Sequence, residues 1–207
     1  DIIIFTYCVM KHHKQDSNSD NEYTTLNPYW ISLSAAPATD IEYVKDKLIG
    51  QANKIAQLLN LSDGIFHMQY IMDTNHIPHI LEITRRCSGG HFPDQVECAI
   101  GVPWAEWIIM SESGMDCSNL KCNNVQDKFT GRYCVLAPKD GKVKAVHIDE
   151  EMKRHIFRCE IWGDKGYEVT DHIHDTLGVF SFRFDYRDEM MSMIMNMDKY
   201  VKVEYEN

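Results

Sequence analysis

The alternation of apolar and polar residues divides the chain into short extended stretches and a few helices. Residues 1–11, rich in Ile, Phe, Tyr and Val, predict a strand. The polar run 14–22, KQDSNSDNE, predicts a loop, and residues 30–34 predict a second strand that Pro37 ends. Thr39-Asp40-Ile41-Glu42 fits a capping box, with Thr39 capping a backbone N–H and Glu42 reaching back. Ile41, Val44, Leu48, Ile55 and Leu59 then recur at helical spacing and predict one buried stripe. Asp63-Gly64 closes that segment.

A strand over 65–72, a turn over 73–76 and a returning strand over 77–84 predict a hairpin. Pro93-Asp94 opens a short helix that Gly101 stops, and Pro103 opens another through Met110. The polar stretch 111–124 predicts a boundary, with one lobe over 1–115 and a small α/β subdomain over 125–207. In the second region 131–137 and 142–148 flank Lys139-Asp140-Gly141, the signature of a hairpin turn. Strands follow over 155–162 and 166–170. Phe180, Phe182, Phe184 and Tyr186 alternate on one face of a strand over 179–186. A helix over 188–198 and a last strand over 200–205 complete an α+β chain.

Bulk properties narrow the function classes. At 207 residues the chain can bury a sizeable core, and 44% hydrophobic with 25% charged residues matches a globular protein. No apolar run approaches the roughly 20 residues of a membrane span, and no signal peptide is recognisable. The expectation is a cytoplasmic protein with no membrane partner. A formal net charge of −10 argues against a nucleic-acid surface. The seven cysteines form no disulfide framework; Cys117 and Cys122 lack a matching second pair, so reduced thiols are expected rather than zinc. Asp171-His172-Ile173-His174-Asp175 reads as a polar loop rather than a metal site. The methionines at 190, 191, 193, 195 and 197 read as core filler, and any exposed remainder would suggest an interface.

Chemistry concentrates in the predicted hairpin. Residues two apart share a strand face, so Ile80, Glu82 and Thr84 are expected to point one way, as are His67 and Gln69. If the strands pair in register, Gln69, Glu82 and Thr84 converge as oxygen donors. Such donors suit a hard cation that takes its remaining ligands from water and phosphates. Arg85 and Arg86 follow at once; arginine presents a fixed fork of donors to phosphate or carboxylate oxygens. Gly89-Gly90 would let backbone N–H groups approach an anion. Spacing alone leaves a second reading open: a solvated polar face whose arginines anchor nearby carboxylates.

Gly64-Ile65-Phe66-His67-Met68-Gln69-Tyr70, a short turn, then His79-Ile80-Leu81-Glu82-Ile83-Thr84-Arg85-Arg86, resembles the ATP-grasp superfamily. The resemblance covers about residues 25–110 and includes Ser88-Gly89-Gly90 and Gly101-Val102-Pro103. It implies the C-terminal lobe of an ATP-grasp domain, an antiparallel sheet flanked by helices. Gln69 would be the first metal ligand, Glu82 the carboxylate bridging two metal ions, and Thr84 the second metal's other ligand, where most members have Asn. Arg86 would be the catalytic arginine beside the transferred phosphate, and with Glu82 would bind the nucleotide. Ser88, Gly89, Gly90 and His91 would line the acceptor pocket.

The implied cofactors are ATP and Mg²⁺ or Mn²⁺, and the implied substrate is a carboxylate, activated as an acylphosphate for attack by an amine or thiol. Gln at the first position is closest to the carbamoyl-phosphate synthase large chain. Gln69 brings no charge, and two unit charges ~4 Å apart interact by about 4 kcal/mol at an effective dielectric of about 20. Glu82 therefore carries most of the attraction for a cation. A glycine-rich loop and lysines over the nucleotide are not recognisable. The expectation is a missing N-terminal lobe of the same enzyme, an inactive isolated fragment and a possible homodimer. The alternative is a non-catalytic ATP-grasp-like binding or regulatory module with a degenerate metal site.

Overall fold

The computed structural model describes residues 8–10, 13–15, 23–25, 32–38, 41–120 and 128–206. In chain order the elements are β1 (Cys8–Met10), β2 (His13–Gln15), β3 (Tyr23–Thr25), β4 (Leu33–Ala36), α1 (Ile41–Leu58), β5 (His67–Met72), β6 (Pro78–Thr84), α2 (Phe92–Ile100) and α3 (Trp104–Glu112). They continue as β7 (Phe129–Leu136), β8 (Gly141–Ile148), α4 (Glu150–Lys153), β9 (Ile156–Ile161), β10 (Glu168–Val169), β11 (Thr176–Phe184), α5 (Arg187–Ile194), α6 (Met197–Tyr200) and β12 (Val201–Tyr205). Thr39, the Glu42 side chain and Cys122 lie outside the described residues, and with them the capping box and the cysteine pair.

The chain forms two compact units, divided differently from the expected 1–115 and 125–207. Among the described residues the first unit spans 37–120, while β1 to β4 join 128–206 in the second. Sheet pairing gives the reason: β4 hydrogen-bonds to β7 antiparallel, with Leu33 opposite Tyr133 and Ala35 opposite Gly131. Strand β2, which pairs with β3, occupies part of the stretch expected as loop.

In the first unit, α1 buries Val44, Leu48 and Ala52 and packs against β6. Ile41 and Ile55 are half-buried, whereas Leu59 lies past the helix end and is exposed. β5 and β6 form the expected hairpin. Its turn is held by Asp73, whose carboxylate accepts from the backbone N–H of Asn75 and Ile77 and pairs with His79. α2 ends at Gly101, which adopts a left-handed φ of 64°.

In the second unit a five-stranded sheet runs β1-β4-β7-β11-β9 and a three-stranded sheet runs β10-β8-β12. The expected hairpin of β7 and β8 is therefore corrected. Both strands exist, but β7 pairs with β4 and β11, and β8 with β10 and β12. Thr130 to Val135 are buried almost without interruption, so β7 needs a partner at each edge and cover on each face. Phe180, Phe182 and Phe184 share a buried face as expected. Tyr186 leaves it, because the strand ends at Phe184 and Tyr186 caps α5 in the open. The core joins these rings to Val143, Met152, Val201 and the inner face of α5 and α6. Met190, Met193 and Met197 fill it, while Met195 is 67% exposed.

Candidate functional site

The hairpin register decides which side chains meet. Gln69 lies directly opposite Glu82, and His67 directly opposite Thr84. Residues opposed in a ladder share a face, so these four form a two-by-two block. The expected convergence of Gln69, Glu82 and Thr84 is thus present at the level of register. Ile80 does not share their face, contrary to strict alternation. The register shifts after Gln69, so that Tyr70 opposes Ile80 and Leu81 is left as the extra residue of a bulge. The bulge turns Ile80 and Ile83, an odd number of residues apart, onto the same half-buried face with Met68 and Tyr70. The opposite face carries the polar block, with Gln69 and Glu82 exposed and His67 and Thr84 half-buried.

Within the block the Nδ1 atom of His67 lies 3.3 Å from Oγ1 of Thr84. Burial and the Arg86 charge hold the His67 ring below the usual histidine pKa, against an opposing pull from Glu82. The charges of both Arg86 and Glu82 therefore act on the space around His67. His67 is the site residue that sequence reasoning left without a role. Its signal was the alternation that put it on the face of Gln69.

The two arginines face different surroundings. Arg86 is exposed and donates from Nη1 to the Cys87 carbonyl at 3.0 Å. Arg85 reaches back along the hairpin and donates from Nη2 to the Asp63 carbonyl at 2.8 Å. Its guanidinium lies against Gly64, where φ is +132° and a Cβ would sit 2.6 Å from Nη2. That backbone conformation favours glycine, whereas the contact is with the movable end of the Arg85 side chain. Arg85 also lines a cleft of about 250 Å³ with Phe66, Trp104, Trp107, Ile108 and Cys117, none of which belongs to the polar block.

Beyond Arg86 the chain turns sharply into α2. Gly90 and His91 both have left-handed φ, 64° and 61°. His91 occupies the N-cap position without a side-chain cap bond, and its Nδ1 lies 3.8 Å from the Asp94 carboxylate. Ser88 is half-buried and Gly89 exposed, with open space where its Cβ would be. Burial pushes the neighbouring Cys87 thiol up.

Among the described residues no group of three or more His, Cys, Asp or Glu side chains is placed to hold a metal ion. The polar block offers a single carboxylate, one amide, one hydroxyl and the His67 imidazole. That donor set fits a cation carried in on nucleotide phosphates, which needs few protein ligands, and does not fit a closed all-protein site. No helix among the described residues is long and apolar enough to cross a membrane.

No protein-family model and no curated protein sequence matches the chain. Solved structures do match. The L-amino acid ligase from Bacillus licheniformis superposes with a TM-score of 0.76 at 16% identity, covering 87% of this chain and 47% of that one. Phosphoribosylglycinamide synthetase from Anaerococcus prevotii gives 0.67 at 15% identity, covering 84% and 45%. The biotin carboxylase domain of the Hydrogenobacter thermophilus 2-oxoglutarate carboxylase, in complex with MgADP, ADP and bicarbonate, gives 0.61 at 17%, covering 86% and 41%. These are ATP-grasp enzymes, and the fold of this chain is that of an ATP-grasp C-terminal part. The chain spans less than half the length of each of these three structures.

Proposed function

We propose that this chain is the C-terminal part of an ATP-dependent ligase that activates a carboxylate as an acylphosphate for attack by an amine or thiol. The observation that carries the reading is the register that sets Gln69 against Glu82 and His67 against Thr84, with the Arg86 charge beside them. Gln69, Glu82 and Thr84 would hold Mg²⁺ or Mn²⁺ on the phosphates of ATP. The bound cation would neutralise phosphate charge, the main demand of phosphoryl transfer. Glu82, the only carboxylate of the block, supplies its attraction for the cation. Arg86 is exposed, and its free donors can meet a transferred phosphoryl or a substrate carboxylate. Ser88, Gly89, Gly90 and His91 would line the acceptor side. Two of the structural neighbours are named as a ligase and a synthetase, and the third carries MgADP and bicarbonate. Gln69 in place of a carboxylate favours a carbamoyl-phosphate-synthase-like member.

The remainder of the nucleotide site would come from an N-terminal lobe of the same enzyme, so the isolated chain is expected to bind ATP weakly and to turn nothing over. The test is ADP release by the protein that carries this chain, across a panel of carboxylates, with and without Glu82→Ala. The substitution is expected to remove turnover; unchanged turnover sinks the assignment. A second reading, a non-catalytic ATP-grasp-like binding or regulatory module, is favoured by the single carboxylate of the block. It predicts nucleotide binding without ADP release for every carboxylate tried.

A further inference from the structure

Strand β12 is an edge: among the described residues it pairs with β8 alone. The Tyr200 carbonyl accepts from the Asp149 N–H, and the Glu206 N–H donates to the Lys142 carbonyl, both on the β8 side. The one bulge in this ladder lies on β8, where Lys144 is the extra residue, so the alternation of β12 is intact. Backbone groups alternate in direction along a strand, and those of Val203 and Tyr205 therefore turn to the open side. A cleft of about 560 Å³ borders the strand, with Val135, Leu136, Ala137 and Pro138 across from Val201 and Val203.

An open strand edge is a template for another strand, and proteins commonly blunt it with charge. Here the charges are self-complementary. The strand reads Val201-Lys202-Val203-Glu204-Tyr205, with Lys202 and Glu204 exposed. Two copies laid antiparallel about a two-fold axis at Val203 set Lys202 of each copy opposite Glu204 of the other. The neighbouring centres set Lys202 opposite its own copy or Glu204 opposite its own copy, and like charges directly opposed are destabilising. One register is thereby selected. In it Val203 of each copy exchanges both backbone hydrogen bonds with its counterpart, because its N–H and C=O already point outward. Strand β9, an edge of the five-stranded sheet, carries Arg158 and Glu160 at the same spacing, but those two bond each other along their own strand at 2.9 Å.

We propose that this chain associates with a second copy of itself through β12, the two strands joining antiparallel about Val203 with reciprocal Lys202–Glu204 pairs. Both copies use the same patch, the ordinary form of a two-fold dimer. Exposed ion pairs contribute little affinity, so the charges choose the register while the backbone bonds and the covered apolar wall hold the copies together. The contact is short, which makes the association weak and concentration-dependent. The interface does not rest on the ligase reading, and Glu82→Ala is expected to leave the association unchanged.

The test is sedimentation equilibrium of the protein that carries this chain, from about 1 µM to about 1 mM. The mass is expected to rise from one copy toward two across that range. Lys202→Glu and Glu204→Lys are each expected to weaken association about tenfold, since each turns both attractive pairs into like-charge pairs. Glu204 also pairs with Lys144 and His147 of β8, so Lys202→Glu is the cleaner of the two. The double exchange Lys202→Glu with Glu204→Lys is expected to restore association, and so is an equimolar mixture of the two single variants. Restoration in the mixture shows that both single variants are folded. A single copy at every concentration overturns the proposal, as does undiminished association of the single variants or a double exchange no better than they are. Amide hydrogen exchange gives a second readout. The Val203 N–H is expected to exchange more slowly as the mass doubles; an unchanged rate places the contact elsewhere and overturns the proposal.

Discussion

The β5–β6 ribbon and the β7–β11 pair are both antiparallel ladders, yet they are held in different ways. β11 is flanked by β7 and β9 and buries Leu177 to Phe182 without a break. Phe182 lies over Gly131 of β7 so closely that a Cβ there would meet the ring at 2.3 Å. The ribbon has no third strand among the described residues, and one of its faces is largely open. A two-stranded ribbon is marginal without support, and here α1 packs against β6. The difference teaches where function can sit. In the β7–β11 pair side-chain packing fixes position. In the ribbon the backbone register places His67, Gln69, Glu82 and Thr84 on one face, with Gln69 and Glu82 exposed there.

The sharpest break of this comparison is Phe182→Ala. It is expected to cost about 3–5 kcal/mol in urea unfolding, whereas Gln69→Ala on the ribbon is expected to stay within about 0.5 kcal/mol. Similar losses for both would erase the distinction. Next is the alkaline limb of stability. Burial, with the Cys134 and Asp198 charges, pushes the Tyr133 phenol up to about 12. The unfolded phenol ionises near 10, so between those two pH values only the unfolded state releases the proton. Stability is therefore expected to fall as pH rises from about 10 to 12, by on the order of 2–3 kcal/mol in all. Tyr133→Phe should flatten that slope in unfolding curves.

On the ribbon itself, Arg85→Ala removes the hydrogen bond to the Asp63 carbonyl and is expected to cost about 1 kcal/mol. Arg86→Ala should cost less than about 0.5 kcal/mol by the same measurement, since Arg86 is exposed and bonds only the adjacent Cys87 carbonyl among the contacts described. Equal costs would mean that the doubled charge is not divided as described. A small effect is also expected from deleting Leu81. The deletion turns the bulge into a plain ladder and keeps Ile80 and Glu82 on their present faces. Its cost should stay below about 1 kcal/mol, and deletion of Ile83, which moves the register at Thr84, should exceed it.

Much of the ribbon was legible because its signals are local. The turn residues, the alternation and the Glu82-to-Arg86 spacing all lie within twenty residues of one another. The bulge was not legible, since alternation counts residues and a bulge breaks the count. His67 was on the page as a face-mate of Gln69, but its bond to Thr84 needed the cross-strand register. The pairing of β7 was misread for the opposite reason. Lys139-Asp140-Gly141 is a good turn signal, but the burial of β7 on both faces is a demand for distant partners that no local window contains. The same non-local demand drew β4 out of the lobe in which the sequence had placed it.

Leu81 acts as a phase boundary. On one side the ribbon keeps the beat of the polar block; on the other it follows its own count toward the turn at Asp73. Lengthening or rewriting the tip in steps of two residues would leave the block's phase untouched. The two halves of one hairpin can thus drift at different rates, the tip free to vary while the four paired positions stay in step.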